Sequence, residues 1–222
     1  MFICGIDYSI SSPAVVKAEL DDNLNILSIG YMSFSSTLKN CKIDDNLHHN
    51  VKKNFKDDIS RFQFLRDKME SYIYGKDVPD YIAIEGYAMG GMGKVFNIAE
   101  ATSLTKSMIY DHNTPLRIYT PSAIKKYATG NGSANKKMMF DQFNKESQKL
   151  LSLSHLQDLT NPQEDIIDAY WIMKLLLTEL QLRNGVITLK QLSNKQIEVF
   201  NAVSKSQPTN LLVRDFIQKD LT

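Results

Sequence analysis

The stretch from Asp80 to Pro121 limits the fold more than any other part of the chain. "DYIAIEG" is a short β-rich run, "VFNIAEATSLTKSMIYDH" has helical periodicity, and "PLRIYTP" is a second short strand. A strand, a helix and a strand in that order predict parallel neighbours, because a parallel pair needs a crossover of about a dozen residues or more. Upstream, "FICGIDY", "AVVKAEL" and "NILSIGYMSF" are extended candidates joined by short turns, as in an antiparallel meander. Together they predict an α/β fold with a five-stranded mixed sheet flanked by helices.

The helical segments follow the same logic. Phe55, Ile59, Phe62, Leu65, Met69 and Ile73 recur at helical spacing as far as Gly75, after a polar connector. A short helical stretch is expected around Ala123 to Tyr127, then the turn "TGNGSA", a helix from about Asn135 and a longer one near Pro162. The body of that last helix, "IIDAYWIMKLLLTELQL", is apolar enough to be largely buried, so Trp171 reads as core. Beyond Gly185 the chain turns more polar. Ser193 and Gln196 form a capping box, and "TNLLVRDFI" suggests one more helix. The expected division is a principal domain over 1–184 and a helical appendage over 185–222.

Composition narrows the function classes. The 222 residues, 43% hydrophobic and 23% charged, suit one well-formed core. A net charge of +1 gives no global attraction for a polyanion, so nucleic acid would have to meet a local basic patch. Cys4 and Cys41 belong to no CxxC or Cys/His cluster, which argues against structural zinc or a disulfide framework. With no apolar run near the roughly 20 residues of a membrane span and no basic-then-apolar leader, the expected location is cytoplasmic, with no membrane partner.

Four acidic residues stand out by position. Asp7 interrupts an apolar strand, Glu85 ends "YIAIE", and Asp165 and Asp168 share one face near the start of the long helix, with Glu164 and Asp168 an equally spaced alternative. If the first and fourth predicted strands are neighbours, Asp7 faces Glu85. Carboxylates converging in a partly apolar site repel and raise one another's pKa unless cations neutralise them. Magnesium takes oxygen ligands, and a pair of ions about 3.5–4 Å apart activates water while stabilising the leaving oxygen of a phosphodiester. Taken singly, such residues are ordinary turn or helix-start features.

"PSAIKKYATGNGSANKK" gathers Lys125, Lys126, Lys136 and Lys137 around Gly130 and Gly132, a turn able to approach a phosphate backbone. "GYAMGGMGKVF" is no nucleotide loop: the required earlier glycine is missing, and Val95 stands where Ser or Thr would bind magnesium, so no nucleotide cofactor is expected. His48 and His49 lack metal-ligand spacing and read as a solvated loop.

"GIDYSISSPAVV", "IAIEGYAMGG", "TPSAIKKYATGNGSANKKMM" and "EDIIDAYWI" resemble, in order, the motifs of the RuvC family of Holliday junction resolvases, with its phage and large DNA virus relatives. The resemblance runs over about Met1 to Leu177. It implies an RNase H-like fold, a homodimer, and magnesium-dependent nicking of branched DNA, the four-way junction above all, with two ions per active site and manganese able to substitute. By motif, Asp7 matches the first-strand aspartate, Glu85 the fourth-strand glutamate, and Asp165 with Asp168 the helical pair, which favours Asp165 over Glu164 as metal ligand. Lys125 and Lys136 match lysines near the scissile phosphate. Tyr87, Met89 and Lys94 fall in the segment that carries a base-probing aromatic in the family, and Lys126 and Lys137 are expected as further, more solvated DNA contacts. Two rivals use the same fold: a nuclease for flaps, forks or RNA–DNA hybrids, and a non-catalytic nucleic-acid-binding protein. An actin-like kinase or ATPase is a third, disfavoured by the chain's length.

Overall fold

The structure is a computed structural model and describes residues 1–10, 12–36, 41–43, 46–51, 55–87, 95–147, 151–156 and 160–205. Strands β1 (Phe2–Asp7), β2 (Ala14–Leu20) and β3 (Ile26–Ser35) form the expected antiparallel meander. Strands β4 (Cys41–Ile43) and β5 (Asn46–Asn50) extend it, β5 lying parallel to β3. Strands β6 (Tyr81–Glu85) and β7 (Leu116–Tyr119) add to its other side, parallel to β1 and to each other. The sheet therefore has seven strands in the order β4-β5-β3-β2-β1-β6-β7, and five of them are those the sequence predicts.

The two added strands correct the reading of His48 and His49 as a solvated loop. His48 lies on β5 and is 2% exposed. Its Nδ1 is 2.7 Å from Ser33 Oγ and its Nε2 3.0 Å from Tyr31 Oη, which also lies 2.9 Å from His155 Nε2. Partnered in this way, a histidine can be buried, and burial, with the neighbouring His155 and His49, pulls its imidazole below the usual range. His49 is half-buried and stacks on Phe34 at a centroid distance of 5.5 Å.

Helices cover both faces. Helix α1 (Asp58–Tyr74) starts behind the Asp57 side chain, which accepts from Ser60 N, and buries Phe62, Leu65, Met69 and Ile73, whereas Ile59 is left 49% exposed. With α2 (Val95–Asp111) it packs on Cys4, Ile6, Val15, Ile82 and Ile84. The opposite face carries α3 (Pro121–Thr129), α4 (Lys136–Ser147), α5 (Gln163–Arg183) and α6 (Asn194–Lys205), packed around Ile3, Val16, Tyr31 and Ala83. "TNLLVRDFI" lies outside the described residues. Among the described residues, no helix is long and apolar enough to cross a membrane.

Helix α5 is buried nearly all round, and one residue sets its approach. A Cβ on Gly5 would lie 2.3 Å from Ala169 O and 2.4 Å from Met173 N, so only a glycine on β1 lets the helix backbone come this near. The contact also fixes direction. With Ala169 and Met173 over Gly5, the first turns of α5 reach the carboxyl end of β1, where Asp7 stands.

Candidate active site

Strand register brings the first two carboxylates together. β1 and β6 pair in parallel through Ile6 and Ile84, so Asp7 and Glu85 follow side by side at the carboxyl ends of adjacent strands, and their side chains are hydrogen-bonded. Asp165 and Asp168 come down from α5. Asp7 and Asp165 are 7% and 6% exposed, while Glu85 and Asp168 are half-buried.

Each acid has a different neighbourhood. Burial, then the charges of Asp168, Glu85 and Asp165, push the Asp7 carboxyl well above the usual range, against the pull of Lys136. Glu85 is raised by burial and by Asp168, while its bond to Asp7 and the charges of Lys125 and Lys136 oppose the shift. Asp165 is pushed up to about 6, mainly by burial, although the Ser12 hydroxyl donates to it. Ser12 is itself fixed: its backbone N–H donates to Ser9 Oγ at 2.8 Å, and its Oγ accepts from Asn161 Nδ2 at 3.0 Å. Ser12 is not among the sequence candidates: it lies in the short turn between β1 and β2, where serine is an ordinary turn residue.

Lys136 opens α4 and pairs with Asp168. A lysine in the first turn opposes the helix dipole, so this placement is explained by the acids facing it. Burial alone would lower its ammonium, but Asp168, Asp7 and Asp165 outweigh that and hold it above the usual lysine range. Lys125 sits on α3, a helix begun by Thr120 and Pro121, and its charge is felt at Glu85. The structure thus gathers Asp7, Glu85, Asp165, Asp168, Lys125 and Lys136. Lys126 is drawn to Glu198 and Lys137 to Asp141, at the outer surface. Tyr87 follows β6, 42% exposed, with Lys106 Nζ 4.5 Å from its ring centre. Met89 and Lys94 lie outside the described residues.

Among the described residues, no three of these side chains stand close enough to enclose one ion as they are placed. They are tied pairwise instead: Asp7 to Glu85, Asp168 to Lys136 and Asp165 to Ser12. Yet the donors are all hard oxygens, and the buried Oδ2 of Asp165 has no partner. An unpartnered buried carboxylate oxygen among raised acids is chemically suited to a divalent cation.

A mixed sheet with helices on both faces and acids at the carboxyl ends of two adjacent, parallel interior strands defines an RNase H-like α/β protein. The family model for crossover junction endodeoxyribonuclease RuvC matches residues 27–173, more than half of the chain, and the chain belongs to that family. Asp7 precedes the matched residues, so its membership of the site rests on the geometry. The RuvC proteins of Corynebacterium glutamicum and Corynebacterium efficiens are each 40% identical over 62 residues, a stretch that spans 28% of this chain and 28% of theirs. Thermus thermophilus RuvC, solved with a Holliday junction substrate, superposes with a TM-score of 0.54 at 17% identity, covering 84% of this chain and 97% of that one. Fowlpox virus resolvase, solved with substrate Holliday junction DNA, gives 0.51 at 14% identity, over 81% and 99%. At these identities the likeness is one of fold.

Proposed function

We propose that the chain is a structure-selective DNA endonuclease that resolves four-way junctions by paired nicks, in a cytoplasmic setting. The observation that carries this is the set of four carboxylates gathered at the end of a RuvC-type sheet, with Asp7, Glu85 and Asp165 raised in pKa by burial and by the acids around them and with one buried oxygen unpartnered. Asp7, Glu85, Asp165 and Asp168 would hold two magnesium ions, for which manganese can substitute. Bound there, such ions lower the pKa of a water and neutralise charge on the phosphate. The protein's own groups do the rest. Ser12 and Asn161 hold Asp165 in place, and Gly5 keeps the helical pair against the strand pair. Lys136, held charged by the acids around it, and Lys125 beside Glu85 present N–H donors to a phosphate oxygen as its charge grows.

Two cuts of like polarity call for two sites, which suits a two-fold dimer. Helix α2 offers a surface for it: Phe96 and Tyr110 share its outer face, 79% and 63% exposed. The exposed Tyr87 near the site is the described candidate for stacking on a junction base.

The test is a magnesium-dependent cleavage panel over four-way junctions, flaps, RNA–DNA hybrids, duplex and single strands, with oligomeric state measured alongside. The reading expects two nearly symmetric nicks in the junction, made by a dimer within one binding event. A monomer preferring flaps or hybrids would leave the nuclease and remove the resolvase.

A further inference from the structure

Helix α6 lies beyond the residues matched by the RuvC family model, which end at 173, yet it is firmly seated. Val199, Phe200 and Val203 are buried, the Phe200 ring meets Tyr127 of α3 edge-on at 6.0 Å, and Arg117 Nη2 donates to Val203 O at 3.0 Å. An anchored helix presents its outward side chains from fixed positions. One of these, Glu198, is paired with two cations at once: Lys126 in the last turn of α3, and Lys195 Nζ at 3.0 Å from its Oε1.

Those lysines flank the glycine turn that follows Lys125. Lys126 follows Lys125 in sequence, and the stem of Lys195 runs beside the glycine turn, since a Cβ on Gly130 would lie 3.7 Å from Lys195 Cγ. Gly130 itself caps α3 at φ +80°. The basic face around this turn therefore carries a built-in anion. An isolated surface ion pair is weak, because ordering two long side chains offsets much of the attraction. Here the carboxylate is on a helix already fixed by the core, and one acid serves two lysines. Both hydrogen bonds hold the Glu198 carboxyl below its usual range, so it stays charged at neutral pH.

We infer that Glu198 is a specificity-determining residue: it withholds Lys126 and Lys195 from DNA phosphates, keeping binding to ordinary duplex weak so that recognition depends on the branched shape. This rests on the nuclease reading given above. Non-specific affinity grows with the number of phosphates neutralised, and each contact adds about 0.9 to the slope of log affinity against log salt. Two withheld cations therefore translate into a measurable deficit on duplex, while a junction gripped at two sites depends less on them.

The experiment compares wild type, E198Q and the triple variant E198Q/K126A/K195A by fluorescence anisotropy on a linear duplex and a four-way junction, across roughly 50 to 200 mM salt without divalent cation. E198Q should steepen the duplex slope by about 1 to 2, tighten duplex binding several-fold at the lowest salt, and reduce the preference for junction over duplex. The triple variant should lose that gain. Wild-type slope and affinity in E198Q would overturn the inference, as would a gain that persists in the triple variant, which would make it a general charge effect. If wild type and E198Q bind neither DNA, the nuclease reading falls and takes this inference with it; wild-type binding with an unchanged E198Q removes the inference alone.

Discussion

Helix α5 carries buried acid at both ends, and the two ends are built on opposite principles. Near its carboxyl end, Glu179 is fully buried, and every lone-pair direction is answered. Arg117 Nε and Tyr119 Oη donate to its Oε2 at 3.1 and 2.6 Å, and Arg183 Nε and Nη2 donate to its Oε1 at 2.9 and 2.7 Å. At the amino end, Asp165 and Asp168 join Asp7 and Glu85 with Lys136 as the one ion-paired cation among the described residues, and Asp165 Oδ2 has no partner. A chain able to satisfy one buried carboxylate so completely was not short of means to satisfy the others. The compensated cluster serves the fold by joining β7, α5 and α6. The uncompensated one stores repulsion that a cation and a substrate can relieve.

Removing acids should therefore separate activity from stability. Asp7→Asn, Glu85→Gln or Asp168→Asn is expected to lower magnesium-dependent cleavage by about 10³-fold or more, because several kcal/mol of charge stabilisation is lost. Thermal stability should hold or rise, since each change relieves repulsion, and DNA affinity should not fall. Asp165→Asn should be more damaging than Glu164→Gln, as Asp165 is buried against Ser12 and Glu164 is half-exposed. Near-normal cleavage by two of the first three variants would break the comparison at its catalytic end.

The opposite outcome is expected at the other end. Glu179→Gln leaves two arginines facing a neutral group in a buried place, and breaking such a network costs about 3–5 kcal/mol. For a chain of this size that is a fall in Tm of roughly 6–20 °C. Cleavage per folded molecule should survive. A stable Glu179→Gln protein that cannot cleave would mean that both ends of the helix belong to the site.

How much of this contrast the sequence disclosed depends on the range of the forces involved. The strands β1, β2, β3, β6 and β7, the long buried helix and the four acids all carry local signals: alternation, period, or a charge in an apolar run. Strand β5 carries none, because "NLHHN" is polar and becomes a strand only when Tyr31 and Ser33 receive His48 from across the sheet. Glu179 hides for a similar reason. It lies within "LLLTELQL", where helical period says only that it is buried, and its partner Arg117 is 62 residues away. Gly5 likewise shows its role only once Ala169 sits over it. Lys126 looks like Lys125 in the sequence, and a tertiary contact alone assigns it to Glu198, whereas Lys137 meets Asp141 four residues on along its own helix, a local pair that helical spacing already offers.

Smaller effects sharpen the contrast through pH. Asp165 has a folded pKa of about 6 against an ordinary 3.8, so the folded state binds the extra proton between those values. The stability this gives is fully present below about pH 4 and is lost as pH rises through about 6, on the order of 3 kcal/mol, with Asp7 extending the loss upward. In the absence of divalent cation, denaturation midpoints should fall across that window, and Asp165→Asn should flatten the fall. Added magnesium should raise Tm most above pH 6, where Asp165 is ionised and ready to bind it. Magnesium stabilisation that is independent of pH would place the ion elsewhere.

The finest comparison is between adjacent residues on α4. Lys136 faces the acids and pairs with Asp168, whereas Lys137 pairs with Asp141 one turn along, its side chain 69% exposed. Removing the Lys136 ammonium takes away both a phosphate donor and the counter-charge to the carboxylates. Lys136→Ala should therefore cut the single-turnover rate at saturating enzyme by about 10- to 100-fold, a loss that more enzyme does not rescue. Lys137→Ala removes at most one outer phosphate contact, so it should leave that rate unchanged and lower the salt slope of binding by about 1. Equal effects from the two would mean that α4 meets DNA as a uniform basic surface and that the pairing of Lys136 with Asp168 has no part in the chemistry. An unequal pair, with Lys136 alone rate-limiting, ties the first turn of α4 to the acids at the amino end of α5.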